Sequence, residues 1–174
     1  MKKLSVLLLC LISILAGCSS NSKANVKVTE DNVEHLVKYD ESLQGFITEM
    51  TDILLNYNNA LDGLYTNSTS NSQFAKIMTE SIGKSNELVT KVEALDIEPD
   101  LFETHQTLIA LVNRSHQLLL TSVDAANNAD ETSFDKDSLR QEYLAIKQEQ
   151  ANIANQWKIL REELAAQANK ETQP

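Results

Sequence analysis

Apolar residues recur at steps of three and four along most of the chain from Asp31 onward, which is the period of an amphipathic α-helix. Short polar segments separate four such stripes, and none of the stripes has the alternation typical of a strand. The stripes predict helices at about 31–65, 72–96, 99–127 and 133–168. Because the connections are short, consecutive helices should run in opposite directions. The pattern therefore predicts an all-α fold, an antiparallel up-and-down four-helix bundle.

Three positions indicate where individual helices begin. Asp31 and Glu34 have the spacing of a capping box, with Asp in place of the usual Ser or Thr, and predict the start of the first helix. Pro99 suits the first turn of the third helix, where an amide hydrogen would have no partner within the helix. Ser133 can cap the fourth helix. Each of these three starts has a residue that satisfies or removes a free amide.

The first 17 residues differ from the rest of the chain. Lys2 and Lys3 give a basic start, residues 4–15 form an apolar run interrupted by two serines, and small residues follow. These are the three parts of a secretory signal peptide. The apolar run is shorter than the roughly 20 residues that a membrane-spanning helix needs. Residues 1–17 are therefore predicted to be a signal peptide and not a membrane span.

The end of this segment reads Leu15-Ala16-Gly17-Cys18, which resembles the lipobox of bacterial lipoproteins. The resemblance implies that the Cys18 thiol receives a diacylglyceryl group and that cleavage follows in front of it. A further acyl chain on the new amino group would be consistent with the same family. Two acyl chains hold a protein stably on a bilayer, whereas one chain holds it only marginally. The resemblance therefore implies a cell-membrane protein, lipid-anchored at the extracytoplasmic face.

The chain then divides into four parts. Residues 1–17 are the signal peptide, and residues 18–30 are the lipidated cysteine with a polar, flexible tether. Residues 31–168 form the predicted bundle, and residues 169–174 form a short C-terminal tail.

Charge restricts the partners that this bundle can have. Loss of Lys2 and Lys3 leaves 13 of the 15 basic side chains against 25 acidic ones, a net charge near −12. Nucleic acid is not an expected partner, because phosphate binding needs a basic face. Anionic lipid headgroups should repel the bundle as well. Attachment to the membrane is therefore expected to come from the acyl chains alone.

Residue types and spacings argue against a metal centre or an enzyme. Cys10 leaves with the signal peptide and Cys18 is lipidated, so no thiol remains for a disulfide or a metal. No histidine has a Glu three residues before it, as the carboxylate-bridged metal bundles require. Motifs for zinc hydrolysis or phosphate binding are absent from the sequence. We expect no catalytic residues, no metal and no cofactor beyond the covalent lipid on Cys18.

Polar residues interrupt the apolar stripes near the middle of the predicted bundle. Counting back from each turn places Tyr57 opposite Ser81, Ser81 opposite His116, and His116 opposite Ile146. Ser85 and Gln150 would lie one layer away. Such a group could orient a small ligand between the helices. Alternatively, it is a hydrogen-bonded layer that fixes helix register, and the sequence favours this second interpretation because buried polar groups need partners in any case.

A second polar position is predicted nearer the N-terminal end of the first helix. The same counting places His105 beside Val92, Ile47 and Trp157, where a structural role is expected. Asp40 is predicted to lie near the Pro99 corner and to accept amides at that helix start.

These observations favour a non-catalytic, membrane-anchored lipoprotein whose bundle is an interaction module of the cell envelope, with a protein or the cell wall as partner. The architecture is similar to that of small, uncharacterised helical lipoproteins of Gram-positive bacteria, and this similarity implies no site residues. The alternative is a carrier or sensor that holds a small ligand or metal in the polar layer. The oligomeric state does not follow from the sequence.

Overall fold

The computed structural model of the chain describes residues 26–128 and 134–171. This part of the chain forms four α-helices, one 3-10 helix and no strand, which confirms the predicted all-α fold. The elements are α1 (Val33–Tyr65), α2 (Asn71–Glu93), the 3-10 helix (Pro99–Leu101), α3 (Phe102–Asn128) and α4 (Lys136–Glu171). The predicted helix bounds differ from these by up to three residues. Residues 169–171, which were predicted to belong to the tail, continue α4.

Side-chain contacts show that neighbouring helices are antiparallel. Lys91, near the end of α2, binds Glu49 in the middle of α1. Asn56, nearer the end of α1, donates a hydrogen bond to Ser81, nearer the start of α2. One helix therefore rises along the bundle as its neighbour descends, as the short loops predict.

The first and last helices close the bundle in the same way. Arg140, in the second turn of α4, donates to the side chain of Asn58 in the second half of α1. Gln150, further along α4, donates to Thr51, which lies earlier in α1. These contacts complete the up-and-down four-helix bundle.

Large apolar side chains from all four helices form one continuous core. Aromatic rings connect the helices at two heights: Tyr57 of α1 meets Phe74 of α2 at 6.0 Å between ring centroids, and Tyr39 of α1 meets Trp157 of α4 at 5.0 Å. Trp157 is only 2% exposed. Burial of a side chain of this kind stabilises a fold by about 1.5–3 kcal/mol.

The start of α1 differs from its prediction. The helix begins at Val33 after Asn32, whose side chain caps no helical amide, and the expected pairing of Asp31 with Glu34 is not formed. The Asn32 side chain instead accepts the amide hydrogen of Thr29 and donates to the carbonyl of Lys27. Asn thus closes a local turn, in which its side chain competes with the helix for backbone groups.

The other helix starts have clear caps. Ser70 and Gln73 form a reciprocal capping box at the start of α2, which the sequence reading missed. Pro99 opens the 3-10 helix that leads into α3, as predicted. The Asp135 side chain accepts the amide hydrogen of Ser138 at the start of α4, whereas Ser133, the predicted cap, lies outside the described residues.

Residues 26–30, predicted to belong to the flexible tether, lie against the bundle. Val26 is 6% exposed and belongs to the core, and Val28 is partly buried against it. The sequence analysis did not predict this packing of the end of the segment. Two valines separated by one lysine are too short a pattern to register as an element, although they are sufficient to cover the end of a bundle.

Candidate functional site

The five polar residues that the sequence placed in two neighbouring layers near mid-bundle do not share one hydrogen-bonded network. They form separate hydrogen-bonded contacts along the helices. The residues are Tyr57, Ser81, Ser85, His116 and Gln150.

Ser85 and His116 are the one pair within this set that the structure brings together. The Ser85 hydroxyl lies 3.1 Å from His116 Nδ1 across the contact between α2 and α3. Ser85 is fully buried and His116 is half-buried. His116 therefore lies at the edge of the core and faces α2, and the more deeply buried side chain of this turn is its neighbour Ser115.

Tyr57 is satisfied elsewhere. Its phenolic oxygen accepts a hydrogen bond from Ser122 at 3.2 Å, and its ring stacks on Tyr143 of α4. Burial raises the pKa of the Tyr57 phenol to about 12. The hydroxyl therefore stays protonated across the physiological range and acts as a structural group in the core.

Gln150 links α4 to α1. Its amide nitrogen donates to Thr51 Oγ1 at 2.8 Å and to the carbonyl of Ile47 at 3.3 Å. Its amide oxygen accepts a hydrogen bond from the Lys147 ammonium at 2.5 Å. The side chain is 4% exposed and its polar atoms all have partners.

Ser81, the last of the five residues, makes its hydrogen bonds within α2 and to α1. Its hydroxyl donates to the carbonyl of Ile77 at 3.0 Å, one turn earlier in α2, and accepts from Asn56 at 2.8 Å.

Counting from the loops did not predict these contacts, because it gives the height of a residue and not its rotation about the helix. The predicted relative heights of residues on adjacent helices are correct to about one turn. The contacts also depend on which side of its helix each side chain occupies. The missed partners are small polar residues, among them Ser122, Thr51 and Asn56. Ser115 and Ser122 are seven residues apart on the buried side of α3, and this heptad spacing was the signal available in the sequence.

The second polar group is centred on His105. Its Nε2 donates to the carbonyl of Val92 at 2.9 Å, and its Nδ1 accepts from the Tyr39 hydroxyl at 3.2 Å. The contact with Val92 agrees with the prediction, and Trp157 joins through the Tyr39 ring. Ile47 lies elsewhere, with its carbonyl at Gln150.

Burial lowers the pKa of His105 below its usual value. The same burial raises the pKa of the Tyr39 phenol well above its usual range. Both groups are thus held neutral in the arrangement that satisfies their hydrogen bonds.

Asp40 does not lie at the Pro99 corner, so this prediction is wrong. Its carboxylate accepts from Gln44 at 2.6 Å and faces Arg161 of α4 at 3.5 Å. Tyr39 points into the core, where it contacts both α3 and α4, and the rotation of about 100° to the next residue turns Asp40 toward Arg161. Asp100 of the 3-10 helix occupies the corner and binds His35 at 3.2 Å.

An acidic groove runs along the outside of the bundle between α1 and α2. It has a volume of about 420 Å³ and its carboxylates come from Glu49, Asp52, Glu80 and Glu87. Ile53 forms part of its lining, and Lys84 contributes one positive charge. The sequence does not predict this groove, because a groove between two helices has no signature in either helix alone.

In residues 26–128 and 134–171, no group of three or more His, Cys, Asp or Glu side chains is arranged to hold a metal ion. Within the same two ranges, no helix has both the length and the apolar character needed to cross a membrane.

Comparison with known proteins gives no relative. No protein-family model, no curated protein and no solved structure matches the chain. The predicted lipid-attachment residue Cys18 and the residues before it, Leu15, Ala16 and Gly17, lie outside the described residues. The lipobox therefore stays a prediction from sequence.

Proposed function

We propose that this chain is a membrane-anchored extracytoplasmic lipoprotein whose helical bundle is a non-catalytic interaction module for a protein or the cell wall of the envelope. The observation that carries the proposal is the segment Leu15–Cys18, which follows a basic start and a short apolar run. Cys18 would carry the diacylglyceryl group, and the bundle would stand at the outer face of the cell membrane.

The interior of the bundle supports an interaction role over chemistry in the core. Tyr57, Ser81 and Gln150 each have hydrogen-bond partners within the fold. A polar group that is already satisfied and buried holds helices together and has little capacity left for a ligand. The surface of the bundle is therefore the part available for recognition.

Attachment to the membrane is tested by two single substitutions in the full-length precursor. Cys18→Ala should abolish labelling by an alkyne fatty acid and should leave the protein unprocessed or released, as judged by membrane fractionation. Cys10→Ala is the matched control, because it removes the other thiol of the chain from the apolar run and should keep full labelling. Fatty-acid labelling that persists in Cys18→Ala would refute the lipid anchor.

A carrier or sensor function is the second candidate, because the half-buried His116, which is paired with the buried Ser85, lies at the edge of the core. A ligand present at 100 times its dissociation constant would stabilise the protein by about 2.7 kcal/mol. We expect no such thermal shift with divalent metals or small metabolites. A shift that His116→Leu removes would instead favour the carrier.

A further inference from the structure

The contact between α1 and α4 has an apolar outer edge. Leu55 of α1 is 56% exposed and Leu144 of α4 is 55% exposed. Leu144 lies one turn after Arg140, which contacts Asn58, and Leu55 lies one turn before Asn58. The two leucines are therefore at the same height along the bundle, on the outside of the same helix pair.

Two basic side chains of α4 lie one turn before and one turn after Leu144. Arg140 precedes Leu144 by one turn and is neutralised by Asp62. Lys147 follows Leu144 by one turn and its ammonium donates to the neutral amide oxygen of Gln150. Among the described residues, no ion pair offsets the charge of Lys147 beside the apolar edge. We call Leu55, Leu144, Arg140 and Lys147 the ridge.

The acidic groove between α1 and α2 has the complementary composition. Its four carboxylates exceed the positive charge of Lys84 and of Lys91, which binds Glu49 at one end. Ile53 forms part of its floor and is 6% exposed. A groove of about 420 Å³ has room for a leucine side chain together with the end of a lysine.

The ridge and the groove lie at the same height. Asn56 lines the groove and donates to Ser81 on its α2 side, and Leu55 of the ridge is the preceding residue. A difference of one residue is about 1.5 Å along a helix. Two copies that stand in the same direction on one membrane would therefore present ridge and groove to each other without a shift along the bundle axis.

We propose that the bundle associates side by side with a second copy of itself, with the ridge of one copy in the acidic groove of the next. This inference rests on the proposed lipid anchor, which would give all copies one direction and one height. Leu144 would enter the groove of the neighbouring copy above its buried floor, and Lys147 would face the carboxylates that line it. Confinement to a membrane raises the effective concentration of the copies, so a weak pairwise contact is sufficient.

Site-directed crosslinking tests the contact, because Cys18 is the one cysteine after residue 17 and its thiol would be acylated. Full-length acylated Leu144→Cys and Asp52→Cys chains are mixed in phosphatidylcholine vesicles and treated with a short bismaleimide. The heterodimer should form about tenfold faster than in the matched mixture of Leu144→Cys with Gln117→Cys. Gln117 is exposed on α3, away from the groove. Equal rates in the two mixtures, or no heterodimer in either, would overturn the proposal.

Charge exchange provides an independent readout. Adding Lys147→Glu to the Leu144→Cys chain should slow crosslinking about fivefold, and adding Glu87→Lys to the Asp52→Cys chain should restore it. Lys158→Glu, on the same helix and with the same change in charge, should have little effect. If Lys147→Glu and Lys158→Glu slowed crosslinking equally, only the net charge of the chain would matter. That result would contradict the pairing of ridge and groove.

Failure of the anchor and failure of the pairing give different results. A chain that lacks the lipid would not float with the vesicles in a density gradient, which is measured before the crosslinker is added. A chain that floats but shows no preference for the Asp52→Cys partner overturns the pairing and leaves the anchor intact.

Discussion

His105 shows how one buried side chain makes this fold sensitive to acid. The ring is 3% exposed, donates from Nε2 to Val92 and accepts at Nδ1 from Tyr39. A protonated ring would have two N–H donors and would lose the hydrogen bond that it accepts. The neutral form is thus favoured by both burial and hydrogen bonding.

We predict that His105 lowers stability in mild acid. Its pKa in the folded chain is below the unfolded value near 6.5. At pH values between these two pKa values, the unfolded chain binds more protons than the folded chain. The free energy of unfolding therefore falls as pH decreases, by up to about 1.4 kcal/mol per pH unit. Urea unfolding at a series of pH values between 7.5 and 5 measures this slope.

The control for this prediction is the double variant Tyr39→Phe with His105→Leu, which removes the titrating ring and its hydroxyl partner together. Its stability should fall less steeply over the same pH range. An unchanged slope in the double variant would show that other groups cause the acid sensitivity.

At the level of single residues, sequence patterns identified which positions are buried more reliably than what they contact. Trp157 and His105 were placed in the interior and Val92 was correctly matched with His105. Tyr39 was missed, because an apolar stripe drawn at ideal spacing passes through Asp40. A rotation of about 100° separates adjacent residues of a helix, and the sequence does not fix that rotation finely enough to choose between them.

Two glycines of α1 differ in what their surroundings permit. A methyl group at Gly45 would meet no atom within 4 Å, whereas one at Gly63 would collide with the Thr69 hydroxyl. The Gly63 carbonyl also accepts the amide hydrogens of Ser68 and Thr69. Gly63 therefore lets the loop after α1 fold back closely onto the end of the helix.

These surroundings predict opposite effects of the same substitution. Gly45→Ala should stabilise the protein by about 0.5–1 kcal/mol, because Ala is the better helix former. Gly63→Ala should destabilise it by about 1–3 kcal/mol, because the loop must move to admit the methyl group. Thermal or urea unfolding of the two variants measures both changes, and stabilisation by Gly63→Ala would contradict the close approach of Thr69.

For whole helices, periodicity was sufficient to predict number, order and approximate bounds. The ends of the helices were harder to predict, because a cap depends on one side chain and several residue types can occupy the capping position. Ser70 with Gln73 formed the expected kind of box at a place that was not predicted. Asp31 with Glu34 had suitable spacing, and Asn32 took the position instead. Local competition between neighbouring polar side chains decided each case.

At the scale of the molecule, residues 26–32 attach the beginning of the described chain to the bundle. Val26 is buried, and Asn32 donates from its side chain to Asp100 at the corner between α2 and α3. His35 binds the same carboxylate. An apolar contact and a small polar network thus hold this segment in place.

Val26→Asp should destabilise the protein by about 2 kcal/mol, because it places a charge in an apolar contact. Val37→Asp is the matched control, since Val37 is 42% exposed and its replacement should change stability by no more than about 0.5 kcal/mol. Urea unfolding measures both. Faster hydrogen exchange at residues 27–32 in Val26→Asp would show which segment is released, and equal stability of the two variants would contradict the docking of Val26.

The overall architecture followed from the sequence because a four-helix bundle needs only four amphipathic stripes and short loops. The acidic groove and the ridge did not follow, because each is formed by two helices. Leu55 and Leu144 are unremarkable in their own helices and become one surface only when α1 and α4 are placed side by side. Features that depend on the relative rotation of two elements require the structure.

The docking of Val26 also sets the reach of the molecule. If Cys18 carries the lipid, seven residues lie between it and Val26, and the eight Cα-to-Cα steps that join the two extend at most about 28 Å. The 36 residues of α4 add about 54 Å at 1.5 Å per residue. Anything that this protein touches must then come within roughly 80 Å of the bilayer, so its working zone is the layer next to the membrane and not the outer boundary of the cell.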